Sequence, residues 1–457
     1  MKSIINSLIL LLLTTTMMMA QSKTGSVLIK NGTVITVTKG TLEDTDVLIQ
    51  DGKITRIGKN LRAPRGIEEI DATGMHVMPG ILDAHSHIAL DAINEATRPV
   101  TSDVFEGDVV NPLDVSIYRA LAGGVTTIHA MHGSANVIGG ECETLKLRYG
   151  TYNAEDLKMK GAPRTIKFAL GENPMRSHGE GRGTQPSSRM GVEQVLRRAF
   201  SEGKAYDKEK KAYEAKKGSD ATALPPKYSR RLETLAAILN GEVIIHCHSY
   251  RADEIYMLMN VCKDFGITRL CFQHTNEGFK VAPELAEFGA GASVFADWWA
   301  YKFEVYYSTA YNATILTKNG VTTSINSDSG ELIRHLYHEA GKTQRYGELS
   351  DDEALALITI NPAKQLGIGD RVGSIEVGKD GDVAIFSAHP LSIYAIPMKT
   401  IVDGILYFDR EKDADDQRLD VNPEQAIPAY RAGEYKHRHD ACMEGAFETT
   451  QFLFKQN

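Results

Sequence analysis

The stretch Pro79-Gly80-Ile81-Leu82-Asp83-Ala84-His85-Ser86-His87 decides the fold. A mostly apolar run, Met75-His76-Val77-Met78, leads into it as the approach to a buried strand. Side chains alternate along a strand, so His85 and His87 point to one face. At the usual rise their Cα atoms lie about 6.6 Å apart, close enough for two imidazoles to converge on one ion. Neutral imidazole suits zinc, iron, nickel or copper. An isolated His-x-His can also be two incidental strand histidines, so the remaining ligands must come from elsewhere in the chain.

Downstream, apolar β-like runs alternate with amphipathic helical stretches, the pattern of a parallel sheet with covering helices. The clearest runs are 124–129, 165–170, 243–246, 269–274, 292–295 and 321–326. With the His85 strand and a weaker run at Thr144-Leu145-Lys146-Leu147, the count fits a (β/α)8 barrel over residues 79–365. Residues 204–217 read as a charged, solvated helix and 218–227 as a loop.

Both ends of the chain are written differently. Short β segments occupy Ser26 to about Ile70, with Asp51-Gly52 as a hairpin turn. Strand-turn-strand text returns over Gly373–Phe386, followed by Val402–Tyr407. A small β-sandwich domain built from residues 21–78 and 366–410 is therefore expected, with 411–457 as a polar tail ending in an amphipathic helix. Residues 1–20 have the layout of a signal peptide: Lys2, an apolar Ile4–Leu13, then Ala20 before Gln21. The expected mature protein is exported, periplasmic or secreted, and no cysteine near the cleavage point suggests a lipid anchor.

At 457 residues the chain can bury a large core and a second, smaller domain. The net charge of −8 and the lack of a basic block interleaved with aromatics argue against nucleic-acid or anionic-membrane partners. Five scattered cysteines are no disulfide framework and read as small core residues. A homo-oligomer is compatible with all of this.

His246, His274 and Asp328 each sit at or just after the end of a β run, which in a barrel is the catalytic rim. Lys167 lies in an apolar strand, Ile166-Lys167-Phe168-Ala169-Leu170, where a buried ammonium without a partner is costly. Glu172 is its rival; five residues on, it would face the opposite side of a regular strand. His248 shares parity with His246 and is either an alternative ligand or an orienting neighbour. His129 and His132 are candidates for the pocket wall. Tyr250 and Arg251 are candidates for meeting a substrate carboxylate, unless Arg251 starts the following helix and pairs with Asp253 or Glu254.

These motifs, in this order, resemble the amidohydrolase superfamily, in the branch of imidazolonepropionase-like proteins, isoaspartyl dipeptidase and metal-dependent prolidases. Pro79–His87 is similar to its opening motif, and Asn361-Pro362-Ala363-Lys364-Gln365-Leu366-Gly367 with Gly373–Asp382 to its return into the small domain. The resemblance implies a divalent metal centre of two ions, with zinc foremost and manganese, iron or cobalt as alternatives. It implies that His85, His87 and Asp328 hold the more buried ion and His246 and His274 the second. Lys167, carbamylated, would bridge them. Metal-activated hydroxide would then attack a C–N bond of a peptide-like, N-acyl or other small-molecule substrate, with Asp328 shuttling the proton. A cyclic amide or imidazolone hydrolase, a deaminase, and a non-catalytic binding protein on the same scaffold are the alternatives.

Overall fold

The computed structural model describes residues 24–298 and 302–412. The expectations for the leader and the tail helix, and one of the five cysteines, Cys442, therefore lie outside the described residues. Two eight-stranded sheets organise the rest. The barrel sheet runs in order through β6 (Ile81–Ser86), β7 (Val125–Ala130), β8 (Ile138–Lys146), β9 (Arg164–Ala169), β10 (Val243–His248), β11 (Leu270–Gln273), β12 (Gly291–Val294) and β13 (Thr322–Ile325). Every barrel strand expected from the sequence is present, including the weak one near Thr144, whereas of the strand-turn-strand text over Gly373–Phe386 only Val383–Phe386 forms a strand.

One strand has an unexpected direction. β8 pairs antiparallel with both β7 and β9, whereas the other ladders are parallel. Only Met131–Val137 connects β7 to β8, too short for the helical crossover that a parallel neighbour requires. The first and last strands meet through specific contacts: Asp328 N–H donates to the His85 carbonyl (3.1 Å), and Ser327 N–H to Asp83 Oδ1 (3.1 Å). Ser327 Oγ also bonds the Asp83 carboxyl. Apolar faces of the covering helices, among them Arg189–Lys216, Arg230–Leu239 and Ala252–Phe265, pack on the strands to form one large core.

The second sheet joins both ends of the described chain. β1 (Val27–Ile35), β2 (Thr41–Gln50), β3 (Lys53–Gly58), β4 (Glu68–Asp71) and β5 (His76–Pro79) combine with β14 (Val383–Phe386), β15 (Pro397–Val402) and β16 (Ile405–Asp409). Asp51 and Gly52, with φ of 49° and 78°, turn the hairpin between β2 and β3. Val77 of β5 pairs with Ile385 of β14, so the strand that feeds the His85 segment is held by the far end of the chain. The helix Ile360–Gln365 carries the Asn-Pro-Ala-Lys motif; Asn361 and Gln365 donate to the carbonyls of Thr323 and Thr322 at 2.8 Å and anchor it to β13.

A buried ion network locks the two sheets together. Lys146, at the end of β8, has no exposed side-chain surface and lies 2.6, 3.1 and 2.5 Å from Asp380, Asp382 and Asp403. Arg148 joins at Asp403 (2.6 Å) and Lys53 at Asp380 (2.5 Å). Among the described residues no helix is long and apolar enough to cross a membrane.

Candidate metal centre

The alternation expected for the first motif holds. His85 and His87 share a face, with their Nε2 atoms 3.2 Å apart. His87 Nδ1 bonds the Met131 carbonyl at 2.8 Å, which aims Nε2 inward. Asp328 Oδ1 lies 3.4 Å from His85 Nε2 and 3.1 Å from His87 Nε2, and its Oδ2 is 3.5 Å from His274 Nε2. Lys167 reaches in from β9, with Nζ 3.1 Å from His85 Nε2 and 3.1 Å from the His132 carbonyl.

Two of these residues stand in the left-handed region: His274 at φ 66° and Asp328 at φ 46°. Such backbone costs about 1–3 kcal/mol in a non-glycine residue and concentrates at functional sites. At His274 its effect is visible. Gln273 and His274 are consecutive, so regular strand geometry would send them to opposite faces; instead Gln273 bonds His85 while the His274 ring lies 4.4 Å from the His85 ring.

Burial sets the charge state. It pushes His85 and His248 well below the ordinary imidazole value, with Lys167 adding to the effect at His85 and His274 at His248. Burial alone would raise Asp328, but neighbouring His274 and His87 hold it below its ordinary value. Burial thus favours the neutral imidazole at His85 and His248, beside the Asp328 carboxylate. Ligand atoms of His85, His274 and Asp328 lie within 4.8 Å of one another. Both ring nitrogens of His248 and of His274 are buried and make no hydrogen bond. Buried ring nitrogens left this way beside a carboxylate fit a divalent cation.

Several expectations change. His246, the expected fifth-strand ligand, lies deeper in the barrel: its ring packs on His129 at 4.5 Å and its Nδ1 is engaged by Gln273 at 2.9 Å. His248, two residues nearer the mouth, is the one packed against His274, at 4.9 Å between rings. Arg251 does not face the centre. It starts the helix Ala252–Phe265, forks onto Asp253 at 3.0 and 2.9 Å, and is 40% exposed. Glu172 also lies outside the cluster, near Arg176 (3.3 Å) and Lys302 (3.6 Å), because β9 ends at Ala169 and Gly171 turns at φ 75°. His129 is held below the mouth by the Ala84 carbonyl and Thr165, and His132 meets the centre through its carbonyl rather than its ring.

Tyr250 does belong to the wall. It stacks on His274 (5.6 Å) and meets His248 edge-on (4.5 Å); Phe295 stacks on His274 (4.8 Å) and Trp298 on Phe295 (4.7 Å). Residues not anticipated are Asp83, Gln273, Glu106 and Lys302. Asp83 shares strand parity with His85 and was open to recognition. Burial raises its carboxyl to about 7 and that of Glu106 to about 8. Lys302, over the Tyr250 ring at 4.3 Å, stands in an aromatic loop with no sequence signal of its own.

The sequence profile of the amidohydrolase family matches residues 306–408. A solved amidohydrolase from Thermotoga maritima MSB8 is 35% identical and superposes with a TM-score of 0.77, over 84% of this chain and all of that one. The chain belongs to the amidohydrolase family. This amidohydrolase is also 32% identical over 394 residues to amidohydrolase tasK of Hapsidospora irregularis, 80% of its own length but 40% of that protein's. Imidazolonepropionase of Thermoplasma volcanium matches at 23% over 388 residues, 81% of this amidohydrolase and 92% of the relative.

Proposed function

We propose that this amidohydrolase cleaves a carbon–nitrogen bond, an amide in a peptide-like or N-acyl substrate, with two divalent metal ions, zinc foremost, at the barrel mouth. One observation supports it above others: His85, His87, Lys167, His248, His274 and Asp328 lie together at the barrel mouth, and the buried ring nitrogens of His248 and His274 make no hydrogen bond. His85, His87 and Asp328 are placed to hold one ion and His248 and His274 the other. Lys167 would join them as a carbamate, because an ammonium cannot ligate a cation while a carbamate offers two anionic oxygens.

When bound, such ions make water acidic enough to ionise near neutral pH and polarise a carbonyl. Asp328 takes the proton from the attacking water and delivers it to the leaving nitrogen. Tyr250 and Phe295 stack on His274, with Trp298 stacked behind Phe295. Hydrolysis of an imidazolone or other cyclic amide is a second reading, supported by the near full-length similarity to imidazolonepropionase. Export through the leader at residues 1–20 completes the proposal, checked by N-terminal sequencing of protein recovered outside the cytoplasm; Met1 retained there would refute cleavage.

The test is metal analysis of the purified protein, then chelation, reconstitution and assay against dipeptides, N-acyl amino acids and cyclic amides. Bound divalent metal, loss of turnover on chelation and activity in the first two sets are expected. Turnover confined to cyclic amides would transfer the assignment to the second reading. A folded protein that takes up no metal on reconstitution would overturn both.

A further inference from the structure

Four buried side chains form a directed hydrogen-bonded row beneath the centre. Lys167 Nζ lies 3.1 Å from His85 Nε2, His85 Nδ1 lies 3.3 Å from Gln273 Oε1, and Gln273 Nε2 lies 2.9 Å from His246 Nδ1. In the metal-free, unmodified chain the Lys167 ammonium only donates, so His85 Nε2 is the acceptor and the ring proton sits on Nδ1. That N–H donates to the amide oxygen. The amide N–H that remains donates to His246 Nδ1, which must then carry a lone pair, and the proton of His246 sits on Nε2. Turning the amide over would oppose its N–H to His85 Nδ1–H, donor against donor.

We propose that Gln273 is a positioning residue that imposes opposite tautomers on two histidines: His85 keeps an Nε2 lone pair toward His87 and Asp328, and His246 has its Nε2 capped by a proton. One side-chain amide thereby qualifies His85 as a ligand and disqualifies His246, leaving the fifth barrel strand's ligation to His248. This rests on reading the cluster as a metal centre. It also explains why a buried glutamine stands beside His274 in a strand that is otherwise apolar, Leu270-Cys271-Phe272. His246 Nε2 is buried and makes no hydrogen bond, as is true of the ring nitrogens of His248 and His274, so it is the tautomer that separates His246 from them.

The experiment uses the full chain, labelled with 15N at histidine, and two variants. In metal-free wild type, long-range 1H–15N correlations should show His85 as the Nδ1–H tautomer and His246 as the Nε2–H tautomer. Resonances are assigned by single His→Gln replacements. Gln273→Glu offers only acceptors, so His85 should keep its tautomer while His246 switches to Nδ1–H. Zinc affinity, read by competition with a chromophoric chelator, should stay at or above wild type. Gln273→Leu removes both partners and should lower zinc affinity about 10–100-fold, the usual effect of losing a residue that orients a ligand.

His85 protonated on Nε2, or His246 on Nδ1, in wild type would overturn the proposal even if Gln273→Leu fails to fold. Unchanged zinc affinity in a folded Gln273→Leu would overturn it as well. A wild type that binds no zinc while showing the two expected tautomers would instead refute the metal-centre reading on which the ligand assignment rests.

Discussion

At the scale of single residues, the fifth strand separates two histidines of the same parity by depth alone. His248→Ala should reduce bound metal and abolish turnover. His246→Ala should keep its metal and lose stability through the cavity it leaves, about 2–5 kcal/mol by analogy with other buried truncations. Metal content and urea midpoints of the two variants check this, and the reverse pattern would restore His246 as the ligand. Asp328→Asn should lower kcat by about 10²–10⁴-fold at saturating metal, since an amide cannot accept the proton; near wild-type kcat would exclude the shuttle. Much of this cluster was legible in the residues: His85 and His87 from strand parity, His274 and Asp328 from strand ends, and Lys167 from the cost of a lone ammonium in an apolar strand. That His248 rather than His246 packs on His274 was not legible, because the family pattern pointed to His246 and parity says nothing about height along a strand. Gln273 was hidden for the opposite reason. Counted from His274 alternation puts it outside, but Gln273 pairs with the inward His248, and the left-handed backbone of His274 brings the histidine in beside it.

At the scale of elements, the handover from β5 to β6 controls where the first two histidines stand. Gly80 makes that joint, donating its N–H to the Asp382 carbonyl at 2.9 Å. A Cβ there would lie 2.2 Å from Thr126 Oγ1 and 2.7 Å from Thr126 Cβ in β7. Gly80→Ala should therefore cost about 1–3 kcal/mol as an overpacking change and disturb the centre through β6. Urea midpoint and zinc affinity should fall together; a lowered midpoint with unaltered affinity would show that β6 is positioned from elsewhere. Strand existence was legible throughout the barrel, even at the weak run near Thr144. Strand direction was not, since a hydrophobic run reads alike in both senses and only the short connection Met131–Val137 betrays the reversal. Arg251 illustrates a further limit: a guanidinium just past a strand end is equally suited to a pocket or to capping its own helix, and Asp253 two residues on decides for the helix.

For the whole molecule, two sets of buried charges tie stability to pH and to the far ends of the chain. Burial holds His129 at about 3 and His132 at about 4, against about 6.5 when unfolded. Their contribution is complete above pH 6.5 and is lost as pH falls toward 4, because the unfolded chain then binds protons that the folded one refuses. Asp83 and Glu106, raised by burial, act with the opposite sign, their contribution fading as pH rises from about 4 toward 7 and 8. In metal-free protein, the stability gap between wild type and His129→Gln should consequently change in the variant's favour between pH 7.5 and pH 5, as measured by urea denaturation. A gap that is constant with pH would show that His129 titrates normally. Lys146→Met should cost about 3–5 kcal/mol, since it strands Asp380, Asp382 and Asp403 around an uncharged side chain. An unchanged denaturation midpoint would show the network to be dispensable. The three aspartates and β14 also have a place in time. During synthesis at about 5–20 residues per second, the β5 edge and the Lys146 ammonium wait for partners encoded roughly 240 to 300 residues later. The barrel strands therefore emerge before either can be satisfied. β1, β2 and β3 find one another early, but β5 stays an open edge until β14 is made, so the barrel is synthesised between the two halves of a sheet that closes only after it.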